Sequence, residues 1–475
     1  MTANSQRRGT VAIVGGGLAG IAAAVALAEA GAKVELFESR RRLGGRAGSF
    51  ADEAGGGEEV DYCQHVGMAC CTNLRNLIGR LGLEADWQEE ATLHFYAADG
   101  RHLPLRASPL PAPLHMAGLL ARWPGISWRE RGKIGHAILR LLRMRGDEAA
   151  LEGEVAAWLR GPAGQSPRAV DHFWRTILVS ALGERIERVA LRPARKVILD
   201  GFAANRRGYR LLVPRRPLAS MFGDLAAQQL AKAGVTLRTG SSVDRVRAAA
   251  GGGVELQMRS GESQCYAAAV VAVAWHRVES ILELAEAETA AEEHPRHLRG
   301  SPITGLHTWW DRPWLDGRHA ILCDSMTQWV FAKPGGGAAS SGETYYQIVI
   351  SGSHPFSLRG REEIEAALKE DLRQIFPRIE AAELLRARAV TDPRSVFSVA
   401  ADSPPHRWAV DRFAARGIYL AGDWTNTGWP ATMEGAVRSG YLAAAHIARR
   451  FDKPISLPVA DLPPGLLVRL VKRSH

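Results

Sequence analysis

The sequence predicts an α/β fold in which one discontinuous domain with a parallel sheet is interrupted by an inserted α+β domain. A strand, a glycine-rich turn, a helix and a second strand follow one another over residues 11–38. Near the C-terminus, residues 417–440 contain another strand that ends in Gly-Asp, then a loop and the start of a helix. Both are typical of parallel-sheet domains, and the long stretches between them mix helical and extended patterns.

The first motif is a G-x-G-x-x-G turn directly after the apolar strand at residues 11–14, with the sequence Gly15-Gly16-Gly17-Leu18-Ala19-Gly20. Gly15 permits the tight turn, Gly17 lets the backbone approach a pyrophosphate, and Gly20 lets the helix pack on the sheet. The N-terminus of the helix at residues 18–30 offers N–H groups to phosphates. Glu38 ends the second strand, where its carboxylate can accept hydrogen bonds from ribose hydroxyls. This pattern predicts a Rossmann-type dinucleotide site.

The same segment has features of a signal peptide, because residues 11–28 carry no charge and follow Arg7-Arg8. Three consecutive glycines near its middle, preceded by a short β-type run, are unfavourable in a secretory or membrane helix. No other stretch of the sequence is long and apolar enough to span a bilayer. We therefore expect a cytoplasmic protein that is soluble or peripheral on the inner face of the cell membrane.

Composition restricts the class of protein. The chain has 475 residues, of which 46% are hydrophobic and 23% charged, with a net charge of +10. These fractions are close to the globular average and exclude a disordered, collagen-like or coiled-coil protein. Five cysteines in a chain of this length are too few for a disulfide framework, so we expect a reducing compartment.

A second glycine pair follows the first motif. After Glu38 come Ser39 and Arg40, and then Gly44-Gly45-Arg46. This arrangement resembles the FAD-dependent amine oxidase and carotenoid desaturase superfamily, which implies FAD as the cofactor and an amine oxidase/phytoene desaturase-like fold. In that superfamily the glycines and the arginine lie along the flavin diphosphate and ring, where small residues admit the cofactor and a guanidinium bonds to oxygen atoms.

The C-terminal motif resembles the flavin motif of the same superfamily. The resemblance implies that Asp423 meets the ribitol or pyrophosphate and that the following helix points its N-terminus at the flavin ring, where it stabilises negative charge on reduced flavin. It also implies a backbone contact from Val243 to adenine. The complete set of cofactor-binding residues implied by the resemblance is Gly15, Gly16, Gly17, Leu18, Ala19, Gly20, Glu38, Ser39, Arg40, Gly44, Gly45, Arg46, Val243, Gly422, Asp423, Thr432 and Met433.

These motifs define the expected domains. The FAD-binding domain comprises residues 1–75, 205–275 and 405–450. The substrate domain comprises residues 76–204, which are mostly helical by periodicity, and residues 276–404, which mix strands with a helix. Residues 451–475 form a basic amphipathic tail.

Residues 61–74, DYCQHVGMACCTNL, combine cysteines with a histidine. A zinc site is one interpretation, but the adjacent side chains of Cys70 and Cys71 diverge in an extended chain. The segment also lacks the Cys-x-x-Cys or histidine pair that would complete a tetrahedral site. We therefore predict no metal, and the alternative is a buried crossover of small residues near the flavin.

The same segment resembles a narrower family. Its D-x-C-Q-H-V and C-C-T-N-L motifs, together with Phe173-Trp174, residues 180–182 and the closing motif at 422–440, resemble the hydroxysqualene dehydroxylases of hopanoid biosynthesis. This family is the squalene-associated branch of the desaturase superfamily, and the likeness extends from about Val11 to Ala448. The chain departs from the usual residues of that branch at Tyr62, Gly67, Asn426 and Trp429.

This resemblance implies that the enzyme removes the hydroxyl group of hydroxysqualene reductively, giving squalene, with reduced FAD as donor. Such a reaction needs a proton donor for the departing water and a dry cavity for a long isoprenoid. We expect His65 or Asp61 to be catalytic; Asp61 could instead orient His65. The alternatives are a carotenoid-type desaturase and a non-catalytic isoprenoid-binding protein on the same fold. With one dinucleotide fingerprint, the sequence does not identify the external electron donor that reduces FAD.

Basic charge is concentrated in one stretch. Residues 119–147 contain seven Arg or Lys and two acidic residues, with Ile134, Ile138, Leu141 and Leu142 at helical spacing. Such a helix either lies on an anionic membrane surface or packs its apolar face on the core. Residues 462–475 repeat the pattern. No nucleic-acid recognition module is visible, so a membrane surface is the expected partner besides the isoprenoid.

Overall fold

The computed structural model describes residues 9–53, 57–144, 151–333, 342–353 and 360–473. In chain order, the strands of these ranges are β1 Thr10–Val14, β2 Lys33–Glu38, β3 Ser49–Asp52, β4 Glu58–Asp61, β5 Gly67–Met68, β6 Trp87–Glu90, β7 Leu93–Tyr96, β8 His102–Leu105, β9 Leu211–Pro214, β10 Thr236–Thr239, β11 Val243–Ala248, β12 Val254–Met258, β13 Ser263–Tyr266, β14 Ala268–Val271, β15 Gly300–Trp310, β16 His319–Leu322, β17 Trp329–Ala332, β18 Thr344–Ser351, β19 Leu384–Phe397 and β20 Ile418–Leu420.

The α-helices of the same ranges are α1 Leu18–Glu29, α2 Thr72–Arg80, α3 Ala117–Arg122, α4 Trp128–Arg143, α5 Val155–Arg160, α6 Pro167–Ala169, α7 Thr176–Leu182, α8 Leu191–Lys196, α9 Ala226–Lys232, α10 Val278–Ile281, α11 Glu286–Thr289, α12 Arg361–Leu372, α13 Met433–Arg450 and α14 Leu466–Arg473. Three π-helical segments, Val170–Arg175, Val197–Ala203 and Ala219–Leu225, adjoin α7, α8 and α9. Within the described ranges, each helix is too short or too polar to cross a bilayer.

A five-stranded parallel sheet in the order β10-β2-β1-β14-β20 lies at the centre of the first domain. Side chains alternate across β1, so Val11 and Ile13 pack with the core of α1 and α13, whereas Ala12 and Val14 pack with the opposite core. The antiparallel sheet β11-β12-β13 contributes to that opposite core through residues such as Val254 and Leu256. The predicted α/β fold is therefore confirmed.

The second domain contains a seven-stranded mixed sheet in the order β19-β15-β18-β17-β16-β7-β8. Helix α12 packs on it through Ile364, Leu368 and Leu372. Strands β7 and β8 come from the stretch at residues 76–204, and β15–β19 come from the stretch at residues 276–404. The first of these stretches therefore adds an edge to the sheet, besides supplying the helices α3–α8.

The basic amphipathic helix predicted within residues 119–147 is α4. Its apolar positions Ile134, Leu141 and Leu142 are buried in the core and Ile138 packs against it, so this face is not available to lipid. Trp128, the first residue of α4, is 72% exposed. Residues 145–147 of that stretch and residues 474–475 of the tail lie outside the described residues.

A fully buried carboxylate joins the two ends of the first domain. Glu434, in the first turn of α13, accepts hydrogen bonds from the backbone N–H of Asn73 at 3.2 Å and of Leu74 at 2.8 Å, and from Asn73 Nδ2 at 2.9 Å. These backbone groups belong to the first turn of α2, which has no helical partner for them. Arg438 lies 3.2 Å from the same carboxylate.

Because Glu434 caps a buried helix end, we expect Glu434→Gln to lower the free energy of unfolding by about 2 kcal/mol, since one oxygen acceptor becomes an amide donor. Urea denaturation monitored by circular dichroism measures the change. The control is Glu370→Gln, whose 71% exposed side chain forms an ion pair with Arg373 and should change stability by less than about 0.5 kcal/mol. Equal stability of the two variants would contradict the proposed cap.

Candidate functional site

The turn between β1 and α1 accepts only glycine at two positions. Gly15 has a φ of +109°, and a Cβ there would lie 2.4 Å from the carbonyl oxygen of Ala272. A Cβ on Gly20 would lie 1.9 Å from the carbonyl oxygen of Gly15. The first helical turn therefore packs directly on the end of β1, as the sequence predicts.

The N-terminus of α1 fits a phosphate group. Among the described residues, no side chain caps this end of the helix, and its first N–H groups precede the first helical hydrogen bond, from Ile21 N to Gly17 O. At Gly17 a Cβ would come no closer than 4.0 Å to Gly45, so the space beside this backbone is open. A β-bridge pairs Gly17 with Gly44 and brings the second glycine pair beside the helix end.

Glu38 lies at the carboxyl end of β2 beside the same turn. Its carboxylate accepts hydrogen bonds from Gly16 N at 2.7 Å and Arg40 N at 2.8 Å, and from Ser39 Oγ at 3.1 Å. The backbone oxygens of Glu38 and Arg40 accept from Ser241 and Gly240. These bonds hold the loop that leads to Val243, at the start of β11, against the predicted adenosine end of the site.

An ion pair connects the two flavin motifs. Arg46 Nη2 lies 2.5 Å from Oδ1 of Asp423, whose side chain is 4% exposed. The same guanidinium donates to the carbonyl oxygen of Ser395 at 2.8 Å and lies 5.8 Å from the ring centroid of Trp275. Residues that the sequence places almost 400 positions apart are therefore in direct contact.

Arg407 organises the loop between Asp423 and α13, a role that no sequence motif indicates. Its guanidinium donates to the carbonyl oxygens of Thr425 at 2.7 Å, of Trp429 at 2.6 Å and, more weakly, of Asp423 at 3.3 Å. Burial lowers the pKa of Arg407 to about 10, with Asp423 acting in the opposite direction. The loop ends at Thr432, whose hydroxyl caps α13 by accepting from Gly435 N at 3.1 Å, so that Met433 begins the helix.

These features fit FAD. The N-terminus of α1 lies at the open space between Gly17 and Gly45, and the N-terminus of α13 lies at the end of the loop that follows Asp423. Gly440 allows the two helices to pack closely. A Cβ on Gly440 would lie 2.1 Å from the carbonyl oxygen of Ala19. The predicted residues Gly422, Thr432 and Met433 belong to this C-terminal half of the site.

His65 is half-buried and neutral. Its Nδ1 lies 2.8 Å from the carbonyl oxygen of Cys63, which can only accept, so Nδ1 carries the proton. Burial lowers the pKa of His65, and the nearby positive charge of Arg46 acts in the same direction, against the bond to Cys63. In this state Nε2 is an acceptor.

Asp61 is a buried acid at the end of β4. Its Oδ1 accepts from Ser49 Oγ at 2.6 Å and from Leu218 N at 2.7 Å. Burial raises the pKa of Asp61 to about 6, although both hydrogen bonds act to lower it. Asp61 lines a small cavity of about 80 Å³, together with Gln64 and Tyr345.

A larger, mostly apolar cavity of about 200 Å³ lies between the seven-stranded sheet and α7 and α8. The sheet contributes Phe95, Ile321, Trp329, Phe331 and Val349 to its wall. Another wall consists of Trp429, Pro430, Thr432, Met433 and Glu434, which includes two residues predicted to contact flavin. Neither His65 nor Asp61 lines this cavity.

The cysteine segment forms a third wall, through residues that include Gln64, Cys70, Cys71 and Leu74. Cys70 and Cys71 do not diverge as expected for an extended chain, because hydrogen bonds from Cys71 N to Met68 O and from Thr72 N to Cys70 O fold the backbone into a turn. The two thiols hydrogen-bond to each other, which raises the pKa of Cys70, as does burial.

Two charged residues on the wall of this cavity carry no signal in the sequence. Lys196, at the end of α8, and Asp200, in the π-helical segment Val197–Ala203, lie 2.7 Å apart on its wall. In sequence they resemble any exposed i,i+4 pair. The π-helical segment is the feature that distinguishes them, since such segments are frequent at functional sites, but sequence periodicity does not reveal it.

Comparison with known proteins agrees with this geometry. Residues 18–448 match the family model described as flavin containing amine oxidoreductase. The chain is 26% identical over 454 residues to hydroxysqualene dehydroxylase of Rhodopseudomonas palustris, covering 92% of this chain and 97% of that protein. It is 25% identical over 472 residues to 15-cis-phytoene desaturase of Synechococcus elongatus, covering 93% and 96% respectively.

Among solved structures, cyclohexylamine oxidase from Brevibacterium oxydans has the same fold, with a TM-score of 0.67 and 20% sequence identity, over 93% of this chain and 99% of that chain. The similarity extends over both domains. The fold similarity, the family match and the geometry of the predicted FAD site lead to one assignment. The chain belongs to the flavin containing amine oxidoreductase family and is an FAD-dependent oxidoreductase, related to flavin enzymes that act on isoprenoids.

Proposed function

We propose that the protein removes the hydroxyl group of hydroxysqualene reductively to give squalene, as a step of hopanoid biosynthesis. One observation carries the proposal: the segment with the dehydroxylase-like motifs lies on the apolar cavity. Gln64, Cys70 and Cys71 line this cavity together with residues of the seven-stranded sheet. Three residues of the motifs that carry the resemblance to this branch therefore line the cavity proposed to hold the substrate.

The reaction has simple requirements. Bound FAD, in its reduced form, supplies a hydride to carbon. The protein must bind the isoprenoid, keep water from the reacting carbon and protonate the departing oxygen. The aromatic and aliphatic wall formed by Phe95, Ile177, Trp329 and Phe331 meets the first two requirements.

His65 and Asp61 remain predicted participants, in different states. Asp61, with a pKa of about 6, exchanges a proton near neutrality, whereas His65 is neutral and offers an acceptor at Nε2. Gln64 and Phe331 line both the small cavity at Asp61 and the larger apolar cavity. Asp61 is therefore suited to exchanging protons with solvent beside the substrate.

The second candidate is a carotenoid-type desaturase, which would oxidise an isoprenoid and reduce FAD. The chain has similar sequence identity to a phytoene desaturase (25%) and to a hydroxysqualene dehydroxylase (26%), so both reactions are candidate functions. The apolar cavity suits either substrate. The direction of electron flow distinguishes them.

We also propose that a surface near the C-terminus docks on anionic lipid. Leu110, Leu114, Leu466 and Leu470, here named the leucine patch, are 47–69% exposed. Gly465 contacts Ala112, which brings α14 beside the loop of Leu110 and Leu114. Arg206 donates to Ser108 in the same loop, and Arg469 lies on α14, so basic side chains border the patch.

Incubation of the photoreduced enzyme with hydroxysqualene under anaerobic conditions should yield squalene and oxidised flavin in equal amounts. Gas chromatography with mass spectrometry measures the product, and flavin absorbance measures the oxidation. Oxidised enzyme with phytoene is the matched control and should leave flavin oxidised. Absence of squalene from the reduced enzyme, together with additional double bonds in phytoene and reduction of the flavin in the oxidised enzyme, would refute the dehydroxylase proposal in favour of the desaturase.

Asp61 makes stability depend on pH. Because its pKa is raised from 3.8 to about 6 in the folded protein, its contribution is fully present below pH 4 and is lost as pH rises through 6. Between pH 4 and 7 this loss amounts to about 2.4 kcal/mol of unfolding free energy.

Asp61→Asn should abolish that loss, so its stability relative to wild type should increase over the same pH range. Urea denaturation at a series of pH values measures the difference, with the exposed Asp402→Asn as control. A difference between Asp61→Asn and wild type that does not vary with pH would show that the carboxyl titrates normally.

The protein should bind vesicles that contain phosphatidylglycerol and release them as salt concentration rises. Leu110→Asp together with Leu466→Asp should weaken binding at least tenfold in a sedimentation assay, because both place a charge in the leucine patch. Met326→Asp changes a side chain of 38% exposure between β16 and β17 and serves as control. Unchanged binding of the double variant would exclude the patch as the docking surface.

A further inference from the structure

We propose that Lys196 and Asp200 form the hydroxyl-binding site of the apolar cavity and that Lys196 protonates the departing oxygen. This inference rests on the proposed function and names the residues that recognise the alcohol. Three observations support it: the charged pair on an apolar wall, the unused donors of Lys196, and a buried indole N–H beside it.

Lys196 and Asp200 differ from the other described ionisable and hydroxyl-bearing residues that line the cavity, whose hydrogen-bonding groups already have partners in the protein. Among the other described ionisable residues that line the cavity, the free thiols of Cys70 and Cys71 hydrogen-bond to each other, and the carboxylate of Glu434 accepts hydrogen bonds from the N-terminus of α2. The hydroxyl groups there also have partners, since Thr176 and Ser180 donate to backbone carbonyl oxygens of the preceding helical turn.

Lys196 has donors to spare. Its ammonium carries three N–H groups, of which one bonds to Asp200 at 2.7 Å, while Asp461 lies at 3.6 Å, beyond hydrogen-bond distance. Its side chain is 20% exposed. An ammonium so placed can donate to a substrate oxygen without giving up Asp200.

Trp429 completes the site. Lys196 Nζ lies 4.3 Å from the centroid of its ring, and Arg438 lies 5.3 Å from the same centroid. Trp429 lines the cavity and is 6% exposed, and among the described residues its indole Nε1–H is buried without a hydrogen-bond partner. A buried donor of this kind is costly unless a ligand satisfies it. Trp429 is also one of the positions where the chain departs from the dehydroxylase pattern.

The location agrees with the chemistry. Thr432 and Met433, which are predicted to contact the flavin, lie on the same wall as Trp429. A hydroxyl group held between Lys196 and the indole N–H would place its carbon near that end of the cavity, with the hydrocarbon chain along Phe95, Ile177 and Phe331.

The proposed step balances. The C–O bond breaks with its electron pair on oxygen, and a proton moves from Lys196 Nζ to that oxygen, so that water leaves. An alkylammonium is a stronger acid than water, so this transfer is favourable once the oxygen approaches hydroxide. The resulting allylic cation faces the carboxylate of Asp200, whose charge is no longer balanced by Lys196 and stabilises it. The hydride supplied in the proposed function completes the reduction, and Lys196 regains a proton from solvent.

The experiment compares the binding of hydroxysqualene and squalene to the oxidised holoenzyme, where no turnover occurs, by quenching of tryptophan fluorescence. Wild type should bind hydroxysqualene at least tenfold more tightly than squalene. Lys196→Met should remove this preference, leave squalene affinity within twofold and lower the anaerobic single-turnover rate at least 100-fold. Lys196→Arg should restore part of the preference, since it keeps the charge.

The matched control is Lys369→Met, which breaks another i,i+4 lysine–carboxylate pair, with Glu365 at 2.9 Å on α12. It should change neither binding nor rate. FAD content and unfolding midpoint of each variant test its integrity. If Lys196→Met does not fold, Trp429→Phe decides: it keeps an aromatic ring at this position, removes the indole N–H, and should weaken hydroxysqualene binding at least threefold without affecting squalene.

The outcomes separate the two proposals. A wild-type preference for hydroxysqualene without formation of squalene would refute the proposed function and leave the hydroxyl site standing. Equal wild-type affinity for the alcohol and the hydrocarbon would refute the site, as would a Lys196→Met protein that keeps both preference and rate. An unchanged Trp429→Phe protein would overturn the role of the indole.

Discussion

The close approach of backbones around α1 is the constraint on which the rest of the structure depends. A Cβ added at Gly15, Gly20 or Gly440 would clash with a backbone carbonyl oxygen. It would separate, respectively, the first turn from the end of β14, α1 from the end of β1, or α1 from α13. This packing places two helix N-termini in one domain, although they derive from opposite ends of the chain. Helix dipoles stabilise negative charge, which explains why a flavin with a diphosphate and an anionic reduced ring suits this arrangement.

Polar contacts then fix the two halves of the site. Arg46 pairs with Asp423 across the domain, and Glu434 caps α2 from the first turn of α13. Arg407 holds the connecting loop by donating hydrogen bonds to the carbonyl oxygens of that loop. Its buried charge is tolerated because several acceptors surround the guanidinium. The cofactor residues and the cysteine segment are therefore mechanically connected, since a shift of α13 would move both.

The apolar cavity shows how such a flavin domain can serve isoprenoid chemistry. The seven-stranded sheet supplies aromatic and aliphatic walls, and the cysteine turn and Trp429 close the cavity beside α13. In this apolar space a charged pair has a strong effect on bound ligands, because the surroundings screen it poorly. In the proposed hydroxyl site, Lys196 and Asp200 would distinguish an alcohol from a hydrocarbon, a difference that the shape of the cavity alone would not provide.

The sequence by itself determined the parallel-sheet domain, the Gly-only positions of its first turn and the superfamily, because these depend on local spacing over residues 11–46 and 417–440. It left two placements of α4 open, of which the structure shows the packing of the apolar face on the core, and it wrongly predicted that the side chains of Cys70 and Cys71 diverge. Periodicity does not say which neighbour covers a face or where a chain folds back. Only the tertiary structure decided that Lys196, Asp200 and Trp429 share a cavity and that His65 and Asp61 lie off its wall. Those relations join residues that are distant in sequence, and long-range packing alone brings them together.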